Sequence, residues 1–96
     1  MQRVWRTVTG FYHVCARGVG KQLIFEGDED RWEFLELMRE CCREAGVTVI
    51  AWCLMGNHVH LVLADYEDAM SAAMHRLLLT YARRFNKRTG RTGHLF

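Results

Sequence analysis

Two apolar β-type segments separated by only three residues constrain this fold more than any other feature. Val47–Leu54 (VTVIAWCL) is dense in β-branched residues, and His58–Leu63 (HVHLVL) begins directly after Met55-Gly56-Asn57. Strands joined by so short a connection pair as an antiparallel hairpin. The fold must therefore contain an antiparallel sheet.

The remaining pattern places two helices around this hairpin. Phe11–Ala16 is a short aromatic and β-rich segment and is predicted as the first strand. A helix capped by Asp28 or Asp30 should follow and end at Gly46, and a second should run from Met70 to about Asn86, because apolar residues recur at helical spacing in both. His94-Leu95-Phe96 could begin one more strand.

This β-α-β-β-α order predicts an α+β fold of the ferredoxin-like (split βαβ) type, an antiparallel sheet with two helices on one face and the last strand incomplete. Residues 1–96 should form a single domain. Because the missing last strand would cover an edge of the first, we expect that edge to be exposed and to mediate self-association.

Composition excludes several classes of protein. No apolar run approaches the length of a membrane span and the N-terminus lacks a signal-peptide pattern, so a cytoplasmic location is expected, with no membrane partner. The four cysteines, Cys15, Cys41, Cys42 and Cys53, have no CxxC spacing. They predict neither a zinc ribbon nor a disulfide framework, and most should be buried thiols.

Charge is distributed unevenly along the chain. The net charge is +2, but residues 28–44 are acid-rich, whereas residues 75–96 carry six basic residues and no acid. A basic segment of this density is typical of a phosphate-binding surface. The alternative is a solvated helix end, where cations are favoured by the helix dipole.

The histidines of the HVH segment are the best candidates for chemistry. On a strand, His58 and His60 project from one face while Val59, Leu61 and Leu63 project from the other. If helices cover the apolar face, two imidazoles on the open one can hold a metal ion and leave positions for water and substrate. The alternative is two ordinary surface histidines.

Four other residues have roles that the sequence leaves open. His13 on the first strand is a further candidate metal ligand, or else a half-buried histidine with a satisfied hydrogen bond. Asn57 could orient a ligand or simply form the turn. His75 and His94 have no partner that the sequence indicates.

The segments FYHVCARG, VIAWCLMGNHVHLVL and YARRFNKRTGRTGHLF, in this order, resemble the REP-associated tyrosine transposases, which are single-tyrosine HUH (His-hydrophobic-His) transposases. The resemblance implies a ferredoxin-like domain, acting as a homodimer, that cleaves and rejoins single-stranded or hairpin DNA through a 5′-phosphotyrosine intermediate. It implies a divalent metal, Mg²⁺ or Mn²⁺, held by His58 and His60, with Val59 as the hydrophobic residue between them.

The sequence departs from the family pattern in two places. Gly56 stands where proline is usual. In the family, the nucleophilic tyrosine and the remaining metal ligand follow the GHLF motif, so residues 1–96 are expected to be a C-terminally truncated domain without them. Tyr81 is a candidate substitute nucleophile, although its apolar neighbours favour a core position, and Tyr12 and Tyr66 look structural.

The basic residues would contact the DNA backbone. The candidates are Arg83, Arg84, Lys87, Arg88 and Arg91, with Arg17 as a weaker one. The alternative function is a noncatalytic nucleic-acid-binding module, regulatory or domesticated. A third hypothesis is a protein-interaction domain that ignores nucleic acid.

Overall fold

A computed structural model describes residues 2–6 and 10–96 and shows an α+β fold with four strands and two helices. The elements are β1 (Gln2–Arg6), β2 (Phe11–Arg17), a 3₁₀ turn (Val19–Lys21), α1 (Asp28–Ala45), β3 (Thr48–Leu54), β4 (His58–Ala64) and α2 (Met70–Thr89). The predicted hairpin, both helices and the strand at Phe11 are confirmed, with ends that shift by a few residues. Neither α1 nor α2, the two helices in the described part of the chain, is long and apolar enough to cross a membrane.

The four strands form one antiparallel sheet in the order β1-β2-β4-β3. This order corrects the prediction of where the remaining strand lies. The strand beside β2 comes from the N-terminus of the chain, whereas His94–Phe96 form no strand. Leu95 is instead buried, and its carbonyl accepts a hydrogen bond from the Val19 N–H.

The N-terminal strand also corrects the expectation of an exposed edge on the Phe11 strand. β1 pairs with β2 from Gln2 opposite Ala16 to Arg6 opposite Tyr12, so β2 has a partner on both sides. The free edges of this sheet belong to β1 and β3. Any pairing of sheets between two copies must therefore use one of those strands.

The core lies between the sheet and the two helices. Val59, Leu61 and Leu63 of β4 are almost completely buried, whereas His58, His60 and Val62 on the other face are only partly buried. This alternation confirms that the helices cover the apolar face of the hairpin. Apolar residues of both helices close the core.

The helix ends follow the sequence signals in part. Gly46 ends α1 in the left-handed conformation (φ 74°), as predicted. At the start of α1 the cap is Gly27, and the Asp30 carboxylate accepts a hydrogen bond from the Glu26 N–H (2.6 Å) within the preceding loop. Before α2 the direction is reversed, because Asp65 lies in the loop and its Oδ2 accepts from the N–H of Met70 (2.7 Å), the first residue of the helix.

The loop between β2 and α1 packs against the turn of the β3–β4 hairpin. The Ile24 N–H donates to the Gly56 carbonyl (2.9 Å), and the Asn57 side-chain amide donates to the Lys21 carbonyl (3.2 Å). Gly18 is required at the start of this loop, since a Cβ there would lie 2.3 Å from the Gln22 carbonyl oxygen. These contacts fix the turn that precedes His58.

The cysteines match the sequence expectation only in part. All four are free thiols; Cys41 and Cys42 are buried, but Cys15 is half-buried and Cys53 is exposed. The expectation that most are buried is therefore wrong. Cys15 and Cys53 lie on the sheet face away from the helices, because each is in register with His60.

Candidate functional site

The sheet face opposite the helices brings together both histidines of the HVH segment. We call this the open face; it carries Arg3 and Trp5 of β1, His13, Cys15 and Arg17 of β2, Cys53 of β3, and His58 and His60 of β4. The His58 and His60 rings lie edge to face with their centroids 5.0 Å apart. We call these two residues the histidine pair.

Each ring of the histidine pair has its Nδ1 atom engaged by a polar neighbour. His58 Nδ1 lies 2.7 Å from Asn57 Oδ1. Because an amide oxygen only accepts, this bond places a proton on His58 Nδ1 and leaves a lone pair on Nε2. Asn57 thus combines both roles considered from the sequence, because it shapes the turn and orients His58.

His60 is engaged by His13. His60 Nδ1 lies 3.0 Å from His13 Nε2, so one of the two imidazoles donates to the other. If His60 donates, its Nε2 also presents a lone pair, as in His58. The His13 ring is packed in turn against Trp5, with centroids 4.9 Å apart.

The pKa of His60 is lowered, first by partial burial and then by the positive charge that His58, His13 and Arg17 can contribute nearby. A lowered pKa favours the neutral imidazole, and neutral imidazole is the form that binds metal. Across residues 2–6 and 10–96, no three His, Cys, Asp or Glu side chains are arranged to hold a metal ion together.

The predicted DNA contacts do not share one surface. α2 lies on the covered side of the sheet, so its exposed basic residues Arg83, Arg84 and Lys87 are separated from the histidine pair by the sheet. Arg17 lies at the site itself, since it is in register with His58 across β2 and β4. The weaker sequence candidate is thus the one that the fold brings to the histidines.

Arg88 and Arg91, also predicted to contact DNA, are bound within the protein. Arg88 pairs with Asp30 (2.6 Å) and Glu33 (3.1 Å) of α1. Arg91 donates to the Gln22 side chain and to the carbonyls of Gly93 and His94. These two guanidinium groups stabilise the helix pair and the C-terminal segment.

Tyr81 lies in the core and does not suit the role of a nucleophile. Its side chain is fully buried between Phe25, Phe34 and Phe85, and its hydroxyl donates to the Ile24 carbonyl (2.5 Å). Burial raises its pKa well above the usual value for tyrosine. A phosphodiester cannot reach this oxygen without opening the core, so the candidate catalytic assignment does not fit the fold.

Sequence reasoning missed two residues of the open face, Arg3 and Trp5. Both lie on β1, which was not predicted, and their alternation in QRVWR is the signal that could have revealed that strand. β1 places Trp5 opposite His13 and Arg3 opposite Cys15.

The fold and the open face together define an α+β sheet domain with a His-hydrophobic-His strand exposed on the side away from its helices. A family model described as "Transposase IS200 like" matches residues 7–96. The chain belongs to this family of transposases. No curated protein matches the sequence significantly.

Proposed function

We propose that this domain is the metal-binding part of an HUH-type transposase that cleaves and rejoins single-stranded or hairpin DNA. One observation carries the proposal: His58 and His60 stand next to each other on the open face, and each has its Nδ1 engaged by a neighbouring polar group. With the Nδ1 atoms engaged in this way, the Nε2 atoms of both rings would bind one cation. The family match over residues 7–96 supports the reaction class.

Asn57 and His13 act in this proposal as positioning residues. Metal-binding histidines usually donate their second ring N–H to a fixed acceptor, which sets the tautomer and the ring orientation. Asn57 Oδ1 fills this role for His58. His13 Nε2 fills it for His60 in the tautomer that we assign, in which His60 carries its proton on Nδ1. The sequence suggested that His13 could itself bind the metal. In this proposal, His13 instead orients His60, which binds it.

The donor chemistry favours Mn²⁺ over Mg²⁺, the two ions that the family resemblance implies. Imidazole suits transition metals, whereas Mg²⁺ prefers oxygen ligands and keeps most of its water. When bound, such an ion supplies neutralisation of negative charge on the phosphoryl oxygens. His58 and His60 would hold it, and the positions they leave open would go to substrate oxygens, water and the family's further ligand.

The nucleophilic tyrosine is expected on a helix that follows the GHLF motif, as the resemblance implies. Of the tyrosines within residues 1–96, Tyr81 is buried and Tyr66 lies beyond the far end of β4 from the histidine pair. Arg17 is proposed to contact the phosphate backbone beside the metal. Arg83, Arg84 and Lys87 would contact DNA that extends past the domain on its helix side.

Titration with Mn²⁺, followed by electron paramagnetic resonance or calorimetry, tests the metal site. We expect His58→Ala and His60→Ala each to abolish saturable binding. The control is His75→Ala, which removes an exposed histidine of α2 and should leave binding unchanged. Binding that survives in both histidine-pair variants would refute the site.

The role of His13 has a separate test. His13→Gln keeps an acceptor for the His60 N–H and should bind Mn²⁺ nearly as well as the unmodified protein. His13→Phe keeps the ring but removes the acceptor and should weaken binding by about 10- to 100-fold. Nitrogen NMR of the metal-free protein should show the His60 proton on Nδ1, and a proton on Nε2 would contradict the assignment.

The reaction itself is tested with a hairpin oligonucleotide and a protein that includes the segment after GHLF. Manganese-dependent formation of a covalent protein–DNA adduct, absent in His58→Ala, supports the transposase mechanism. Salt-sensitive binding without an adduct or metal dependence would support the noncatalytic nucleic-acid-binding module instead.

A homodimer is part of the proposal, and β3 is the edge we assign to it. β3 is unpaired on its outer side and carries the exposed Trp52, beside an apolar groove of about 660 Å³ that Trp32 and Leu35 of α1 also line. Trp52→Lys should shift a dimer to monomer in analytical ultracentrifugation. A dimer that is unchanged by this substitution would exclude the β3 edge.

A further inference from the structure

A cavity of about 260 Å³ lies on the open face beside the histidine pair and shares His60 with it. Its lining consists of Arg3, Trp5, Cys15, Arg17 and His60. We propose that this cavity binds one unpaired nucleotide of the DNA strand next to the scissile phosphate. The inference rests on the proposed function, since it assumes that the cleaved strand crosses the histidine pair.

Trp5 provides a surface for base stacking. It begins a row of rings across three strands, in which Trp5, His13, His60 and His58 follow one another at centroid distances of 4.9, 5.2 and 5.0 Å. The Trp5 side chain is 50% exposed, so it keeps accessible area beyond its contact with His13. Aromatic side chains in this setting bind bases of any sequence by stacking.

Arg3 and Arg17 provide positive charge on the two sides of Cys15. Arg3 is in register with Cys15 on the neighbouring strand, and Arg17 follows Cys15 by two residues on the same face. Neither aspartate nor glutamate occurs in any of the four strands, so all 11 acidic residues lie in helices and loops. The cavity is therefore lined by two guanidinium groups, and none of the strands of the open face carries a carboxylate.

The size of the cavity suits a small ligand. Pockets for drug-sized molecules begin at about 300 Å³, so a cavity of about 260 Å³ suits a single base with its sugar and phosphate. A base paired in a duplex cannot lay its face on Trp5. The cavity should therefore distinguish unpaired from paired DNA immediately beside the cleavage position.

Binding of a fluorescein-labelled single strand of about 12 nucleotides, measured by anisotropy in EDTA, tests the stacking role independently of the metal. We expect Trp5→Ala to weaken binding about tenfold and Trp5→Phe to restore most of the loss. Tyr66→Ala is the control, because Tyr66 is an aromatic residue that is 75% exposed and lies beyond the far end of β4 from the histidine pair. Equal affinities of Trp5→Ala and Tyr66→Ala would overturn the proposal.

The contribution of the Arg3 charge to DNA binding is tested through the salt dependence of affinity. Arg3→Gln should reduce the slope of log affinity against log salt concentration by about 0.7, the value for one phosphate contact on a single strand. Arg39→Gln removes the same charge from an exposed position on α1 and should leave the slope unchanged. Identical slopes for the two variants would contradict a phosphate contact at Arg3.

Thiol footprinting of the unmodified protein gives a readout that no substitution can disturb. Cys15 lines the cavity, whereas Cys53 is in register with His60 from the opposite side. The oligonucleotide should slow alkylation of Cys15 by maleimide more than that of Cys53, and equal protection would refute the location. If the unmodified protein showed no saturable Mn²⁺ binding, the metal proposal would be disproved, whereas the Trp5 result would be unaffected.

Discussion

Replacing Tyr81 by phenylalanine removes one hydroxyl from the centre of the core. This hydroxyl donates to the Ile24 carbonyl at 2.5 Å, and both side chains are fully buried. The substitution preserves the ring and its contacts with the surrounding phenylalanines, so packing changes little. The main cost is a buried carbonyl oxygen that loses its partner.

The expected loss of stability comes from the hydrogen bond that is removed and from the carbonyl oxygen that is left without a partner. A hydrogen bond contributes about 1 kcal/mol net, and an unsatisfied buried carbonyl costs about 1–3 kcal/mol, so Tyr81→Phe should lower the free energy of unfolding by about 2 kcal/mol. For a domain of this size that corresponds to a fall in Tm of about 8–16 °C. Because the fold stays the same, the urea m-value should not change.

Urea unfolding followed by circular dichroism measures this loss. The control is Tyr66→Phe, which removes a hydroxyl from a side chain that is 75% exposed and should change stability by less than about 0.5 kcal/mol. Under conditions where Tyr81→Phe remains folded, its Mn²⁺ affinity should equal that of the unmodified protein. A Tyr81→Phe protein as stable as the control would refute the assigned core role.

Three further predictions concern stability. Asp65→Ala removes the acceptor for the Met70 N–H at the start of α2 and should cost about 1–2 kcal/mol in urea unfolding. Arg88→Ala leaves the Asp30 carboxylate, whose side chain is 8% exposed, without its cation, and should cost about 1–2 kcal/mol in urea unfolding. Burial raises the pKa of Cys42 from 9.0 to about 11. Between pH 9 and 11 the thiol ionises in the unfolded state but stays largely protonated in the folded state. The free energy of unfolding should therefore fall by about 2 kcal/mol over this range, and Cys42→Ala should remove this component.

The hairpin and the two faces of β4 could be read directly from the sequence. A three-residue connection permits little besides an antiparallel turn, and the period of two along a strand assigns His58 and His60 to one face whatever surrounds them. The ends of α1 and α2 were predicted nearly as well. Gly46, for example, provides the left-handed conformation that a helix end requires, and this is a local property.

Contacts between distant segments could not be predicted in this way. The short β1 carries a weak pattern by itself and becomes a strand because β2 offers it a free edge. Likewise, nothing in the local sequence of Arg88 or Arg91 shows that the first meets Asp30 and the second meets Gln22. A basic segment that suggested one DNA-binding surface therefore divides into exposed residues and residues that hold the fold together.

The sequence by itself determined that two histidines share one face of a strand, because side-chain alternation is a property of the backbone alone. Only the tertiary structure decided what surrounds them. His13 comes from 47 residues away to reach His60, and Trp5 and Arg3 arrive on a strand at the opposite end of the chain from the basic segment. These contacts depend on which strands become neighbours, and that choice is made by burial of the whole apolar face rather than by any single segment.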